Sequence, residues 1–160
     1  MSDTASITVK NLESAFAGES MAHAKYLYFA KISRQMGDTE TAEIFEETAK
    51  QEILHAFGHL DLLYPAAQMT PAKALEIAIE GETYEYTEMY PAFKHLALQE
   101  GNDKAVAEFD EQIDESKQHA EQFLAMLGKA AKRFSALTTV EQRHANQYQQ
   151  VLDSLNASKA

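Results

Sequence analysis

Glu52-Ile53-Leu54-His55 lies inside a stretch, about residues 40 to 63, that reads as one helix. Residues three apart share a helix face. A carboxylate and an imidazole placed so can hold one metal ion, and a bridging carboxylate can hold two. Glu-x-x-His is common in acidic helical chains, where most glutamates sit on a solvated face. Its weight here comes from its company. Upstream, Ala17-Gly18-Glu19-Ser20 is flanked by Ala15, Phe16, Met21 and Ala22, which predicts that Glu19 points inward. Gly18 would let another helix approach closely. Downstream, Ile79-Glu80-Gly81-Glu82-Thr83-Tyr84-Glu85 again sets a Gly before an inward Glu, with a second acid three residues on.

Two-metal carboxylate sites in helical bundles use one Glu from each of two helices and a Glu-x-x-His from each of the other two. Glu19 and Glu82 fit the single glutamates, and Glu52 with His55 fits the first pair. Several buried carboxylates without countercharge would be costly, and few Lys or Arg fall on those faces. Two cations would supply the missing charge. The second pair has two candidates. His119 is preceded at three residues by Ser116 and at four by Glu115, which a one-residue π-bulge could bring into register. Glu141-Gln142-Arg143-His144 is intact. The stretch from Ser116 to Phe123 resembles the stretch from Glu141 to Tyr148 at an offset of 25 residues, and a hairpin at Gly128 would bring both to one depth.

Around these motifs the chain reads as helices parted by short breaks. Helix A covers about residues 8 to 36, with Leu12, Ala15, Phe16, Leu27, Ala30 and Ile32 at mainly three- and four-residue steps. Gly37-Asp38 ends it, and Asp38 or Thr39 caps helix B. Tyr64-Pro65 stops helix B, and Thr70-Pro71 starts helix C, which runs to about residue 100 with a kink or a lost backbone bond at Pro91. Helix D runs from the turn at 101–103 to about residue 127, and helix E covers about 130 to 155 before a tail, Asn156 to Ala160, that is expected to fray. The predicted fold is all-α: a four-helix bundle over about residues 8 to 127 with an additional C-terminal helix, in one domain. The segment from Pro65 to Thr70 spans only ~20 Å when extended, against ~35 Å for a helix of about 24 residues. Helix C therefore runs antiparallel beside B, or the later helices pair with A and B of a second chain in a domain-swapped dimer.

The chain has 160 residues, with 14 Lys+Arg against 25 Asp+Glu and a net charge of −11. That balance argues against nucleic acid or an anionic membrane as partner. There is no Cys, which excludes thiol nucleophiles, Fe–S clusters and a Cys-ligated iron site on this chain, and suits the cytosol. No apolar run approaches ~18 residues, and Met1-Ser2-Asp3-Thr4 carries no basic leader region, so neither a membrane span nor a signal peptide is expected.

Four stretches carry a family resemblance: residues Asn11 to Leu27 (NLESAFAGESMAHAKYL), Glu52 to Ala56 (EILHA), Gly81 to Glu85 (GETYE) and Glu88 to Pro91 (EMYP). Over about residues 8 to 123 the chain resembles the rubrerythrins, ferritin-like di-iron proteins. The resemblance implies a ferritin-like bundle holding two iron ions, with Glu19, Glu52, Glu82 and Glu85 as ligands and His55 exchanging with Glu85 as the irons change oxidation state. In that register His119 is a ligand and Ser116 stands where the family has a bridging Glu; residues 138 to 152 also resemble the family's fourth helix, which keeps Glu141 and His144 as the alternative. The rubredoxin-type domain of full-length members is expected to be absent, and the short link between helices B and C resembles members that form swapped dimers.

The implied activity is reduction of hydrogen peroxide to water by a cytoplasmic enzyme of oxidative-stress defence, with electrons from an external donor such as a rubredoxin or a flavoprotein. Carboxylates suit this chemistry because they shift between terminal and bridging modes and are hard ligands for ferric iron. Tyr26 and Tyr90 are candidate hydrogen-bond donors to ligand glutamates, with ordinary packing as the plainer role. His23 and His59, one turn from ligand positions, are read as packing or surface residues. Two other functions compete: a ferroxidase or iron-storing ferritin-like protein, and a helical interaction module without metal. Mn or Zn could replace Fe in such a ligand set.

Overall fold

A computed structural model of the chain describes residues 6–157, and the side chains of all of these except 134–136 and 151–157. The described residues contain helices and no strand. They fall into two compact units, Met1–Met69 and Thr70–Ala160.

The first unit is a hairpin of α1 (Ile7–Gln35) and α2 (Thr39–Leu63). Its turn follows from local chemistry. Gly37 adopts φ +84°, a left-handed conformation that glycine enters without penalty. Asp38 then caps α2, accepting a hydrogen bond from the Thr41 amide at 3.0 Å. The hairpin closes along a seam of small residues. Ala42, Ala49 and Ala56, seven residues apart on α2, are all fully buried, and Ala30 of α1 is 2 % exposed. Phe45 packs between Tyr26 and Phe29, with ring centroids at 5.8 and 5.6 Å. Near the turn, Arg34 grips Glu46 with two bonds, Nε to Oε1 at 2.9 Å and a terminal nitrogen to Oε2 at 2.7 Å. Each partner holds the other charged: the arginine is pushed up and the carboxyl down.

The second unit opens as the sequence predicts. Thr70 caps α3 (Pro71–Tyr84), its hydroxyl accepting from the Lys73 amide at 3.1 Å, with Pro71 in the first turn. The long helix C is not continuous. A π-helical turn, Glu85–Met89, separates α3 from α4 (Tyr90–Glu100). Pro91 brings no amide hydrogen, and the wide turn just before it absorbs one extra residue, the Tyr90 amide reaching back to the Glu85 carbonyl. Gly101, at φ +67°, and Asn102, whose side chain accepts from the Ala105 amide at 3.2 Å, build the next turn.

From there α5 runs unbroken from Asp103 to Ala157, 55 residues. The hairpin expected at Gly128 does not form, and helices D and E are one helix. The seam explains this. Positions 106, 109, 113, 116, 120, 123, 127 and 130 alternate three- and four-residue steps and are buried or half-buried, and the same steps run on through Leu137, Glu141, His144 and Tyr148. No capping residue flanks Gly128, and one glycine inside a helix costs only ~1 kcal/mol. Of the tail expected to fray, Asn156 and Ala157 continue the helix and 158–160 lie outside the described residues, as does Met1 to Thr4.

The two units are built on one pattern. Leu12-Glu13-Ser14-Ala15-Phe16-Ala17-Gly18-Glu19 matches Leu75-Glu76-Ile77-Ala78-Ile79-Glu80-Gly81-Glu82 at an offset of 63 residues. Past the π turn the offset becomes 64: Tyr26 and Tyr90, Phe29 and Phe93, Gly37 and Gly101, Phe45 and Phe109, His55 and His119, Ala56 and Ala120. The rings repeat their packing, with Phe109 at 6.1 Å from Tyr90 and 5.9 Å from Phe93. The extra residue of the π turn is thus the one insertion needed to bring two otherwise matching hairpins into register.

Candidate metal centre

Midway along the seam of each hairpin lies a group of acids and a histidine. In the first unit, α1 presents Glu19 and α2 presents Glu52 and His55. His55 Nδ1 lies 3.1 Å from Glu52 Oε2 and 3.9 Å from Glu19 Oε2. One ligand atom from each residue falls within 4.8 Å of the others, and among the described residues this is the one such group of three. Glu52 is the more buried acid, its side chain 17 % exposed against 31 % for Glu19. The two carboxyl groups share a hydrogen bond, which pushes Glu19 above the ordinary carboxylate range and holds Glu52 below it. Burial adds to the rise at Glu19, while His55 and His59 oppose it. No lysine or arginine pairs with either acid among the described residues. One turn away, His23 Nδ1 donates to the Ala49 carbonyl at 2.7 Å, so His23 clamps α1 to α2 just beyond the cluster.

In the second unit, His119 Nδ1 of α5 lies 3.4 Å from Glu82 Oε2 of α3. Ser116, 4 % exposed, donates its hydroxyl hydrogen to Glu85 Oε2 at 3.0 Å. Tyr90 stands nearby: burial, then the charges of Glu85 and Glu82, push its hydroxyl up.

Of the candidates named from the sequence, the structure brings Glu19, Glu52 and His55 together, and sets Glu82, Glu85 and His119 on one face of the second hairpin. It separates the others. Glu115 is exposed and accepts from Gln112 along its own helix, because α5 carries no π-bulge and the residue before Ser116 faces outward. Glu141 and His144 are exposed. On a continuous helix they lie 25 residues beyond Ser116 and His119, about 37 Å along the axis. Tyr26 and Tyr90 pack as rings on phenylalanines, and among the described residues neither hydroxyl bonds a ligand glutamate. A Cβ built on Gly18 or Gly81 meets nothing within 4 Å, so neither glycine serves a close approach inside its own hairpin. Ser116, buried at 4 % exposure, is singled out by the 63- and 64-residue repeat, which aligns it with Glu52 and which motif spacing alone does not reveal.

Two acids and an imidazole brought together from two helices, with no lysine or arginine paired to either acid among the described residues, form a carboxylate–histidine cluster of the kind that could hold a metal ion in a helical protein. The donor set suits a hard or borderline divalent ion. Residues 10–127 match the family model described as Rubrerythrin, and the chain belongs to the rubrerythrin family. It is 39 % identical to nigerythrin of Nitratidesulfovibrio vulgaris over 74 % of this chain and 64 % of that protein. It is 35 % identical to rubrerythrin of Porphyromonas gingivalis over 75 % of this chain and 66 % of that one. The chain thus spans just under two-thirds of the length of these relatives. A solved structure of nigerythrin in its fully reduced, all-ferrous state is similar at 34 % identity, over 81 % of this chain and 70 % of that one, with a TM-score of 0.40.

Proposed function

We propose that this chain is a non-haem di-iron oxidoreductase that reduces hydrogen peroxide to water, drawing electrons from a separate donor protein such as a rubredoxin or a flavoprotein. The observation that carries the reading is the Glu19–Glu52–His55 cluster, whose three donor atoms lie within 4.8 Å of one another. The proposed ligands are Glu19, Glu52 and His55 of the first unit and Glu82, Glu85 and His119 of the second. Four carboxylates and two imidazoles are the complement of a two-metal helical site. Two ferrous ions bound there would supply two electrons which, with two protons taken from solvent, would reduce hydrogen peroxide to two waters. The protein's own part is to hold the donors in place. Glu52 orients His55 through the 3.1 Å contact at Nδ1. A cation bound between Glu19 and Glu52 would remove the hydrogen bond and the repulsion from Glu52 that raise Glu19, so metal binding would favour the charged form of both acids. His55 and Glu85 are the ligands that the family resemblance assigns to the change of oxidation state.

A second copy of the chain is part of this proposal. Each hairpin buries one face only. Among the described residues no large side chain is fully buried, while Leu54, Phe57 and Leu62 of the first unit and Leu96, Leu98 and Leu124 of the second are more than half exposed. Such faces are covered in a bundle by another helical pair. Two copies exchanging hairpins across the short link after Tyr64 would cover them. No described helix is long and apolar enough to cross a membrane.

The test is anaerobic stopped-flow mixing of reduced, iron-reconstituted protein with peroxide and, separately, with dioxygen. Faster oxidation by peroxide supports the reading. Much faster oxidation by dioxygen refutes it in favour of a ferroxidase, and absence of bound iron refutes both.

A further inference from the structure

α5 outruns the helices that pack on it. α3, the π turn and α4 lie along its first half, and Ala130 is the last half-buried position of its seam. From Ala131 to Gln150 every described side chain is exposed, yet the helix continues to Ala157. That is ~40 Å of helix with no buried face among its described side chains. Helices in proteins are held mainly by packing an amphipathic face. Three β-branched residues in succession, Thr138, Thr139 and Val140, weaken this stretch as a lone helix.

The stretch does carry a face to pack. The three- and four-residue steps of the hairpin seam continue through it in two rows, with Leu127, Glu141 and Tyr148 in one and Ala130, Leu137 and His144 in the other. Leu137 is 57 % exposed and Tyr148 76 %. Glu141 and His144 are exposed, and among the described residues neither has an ion-pair partner. The two rows dictate what can face them. In a parallel pair of such helices each row meets its own copy, which sets Glu141 against the partner's Glu141. In an antiparallel pair the rows meet each other. Centred between residues 142 and 143, that arrangement sets Glu141 against the partner's His144 and Leu137 against the partner's Tyr148, each contact occurring on both sides of the centre. An imidazole donates to a carboxylate, and a polar contact within an apolar seam fixes register and direction.

We infer that the C-terminal stretch of α5, residues 130 to 155, docks antiparallel on the same stretch of a second copy of this chain, with Glu141 and His144 as the contact that sets the register. Its length is between three and four heptads, enough for a two-helix coil. The pairing uses none of the residues that hairpin exchange would cover, and it does not depend on the metal centre. It gives the intact Glu-x-x-His at 141–144 a role that the metal centre does not.

The chain has no Cys, so a single introduced cysteine carries a unique spin label. Lys129→Cys, off the seam, places that label near one end of the paired stretch. Pulsed EPR of the labelled full-length protein should show the two labels ~40 Å apart if the pair is antiparallel, whereas a parallel pair would hold them within ~20 Å. His144→Glu, added to the labelled chain, sets acid against acid and should raise the protein concentration at which half of the ~40 Å signal appears by at least about 10-fold. Glu141→Lys/His144→Glu restores opposite charges in the antiparallel pair alone and should return the signal. Circular dichroism confirms that each variant keeps its helix. Should His144→Glu lose helix, Tyr148→Ser reads the same seam through the same signal and should weaken it. Labels within ~20 Å, no inter-label signal, a signal that these substitutions leave unchanged, or a double variant no better than His144→Glu overturns the inference.

Discussion

Replacing Glu52 by Gln keeps the side chain's size and removes its charge. The structure predicts opposite effects on the metal-free and metal-bound protein. Without metal, a Gln amide can donate to a charged Glu19 and the repulsion between the two acids is gone, so the hairpin is at least as stable as before. With metal, the cluster loses one of its three donors, and His55 loses the acceptor 3.1 Å from its Nδ1. Loss of that orientation alone weakens metal affinity by about 10- to 100-fold, and loss of the ligand charge adds to it. A factor of ~100 has a definite thermal signature. At a free metal concentration of about 100 times the wild-type Kd, binding stabilises the folded state by ~2.7 kcal/mol, and in the variant by ~0.4 kcal/mol. For a chain of this size, about 2 to 4 °C per kcal/mol, the metal-induced rise in Tm falls from roughly 5–10 °C to roughly 1–2 °C. Differential scanning fluorimetry with and without Co(II) reads both limbs. A Glu52→Gln variant that keeps the wild-type metal-induced rise would refute the assignment of this cluster as the metal site.

Three further outcomes are expected. For the Glu19–Glu52 pair the sign of the pH dependence is fixed by the shifts: Glu19, raised above its unfolded value of 4.5, loses its contribution as pH rises through its folded pKa, and Glu52, lowered, loses its contribution as pH falls through its own. Metal-free protein should thus lose Tm on raising the pH above 4.5, through the raised pKa of Glu19, and saturating Co(II) should flatten that limb; a rising metal-free limb contradicts the upward shift at Glu19. Gly101→Ala forces a Cβ into φ +67° with open space around it, so the cost of about 1–2 kcal/mol is purely backbone strain, readable as a lowered urea midpoint with unchanged slope. Glu141→Ala/His144→Ala should leave the bound iron per chain unchanged by elemental analysis, whereas His119→Ala should lower it.

Much of the local structure was legible in the sequence. Gly37-Asp38, Thr70-Pro71 and Gly101-Asn102 specify their turns through φ above zero, a cap or a missing amide, which are properties of two or three residues and need no tertiary context. That Glu52 shares a face with His55, and Glu82 with Glu85, was legible for a related reason: helical periodicity alone sets which residues share a face. What failed were readings that depend on competition between distant segments. Gly128 looks like a break, but the seam repeating on both sides of it keeps α5 whole, and with that His144 lies some 37 Å along the same helix from His119. Pro91 predicted a kink, but only the packing of Tyr90 and Phe93 on Phe109 shows where the chain takes up its extra residue, in the π turn that carries Glu85. The sequence by itself determined an acidic all-helical chain whose helix faces carry glutamates and histidines at matching steps. The tertiary structure decided which of those side chains meet, because a hydrogen bond such as that from Ser116 to Glu85 depends on the approach of two helices and on no spacing along either one.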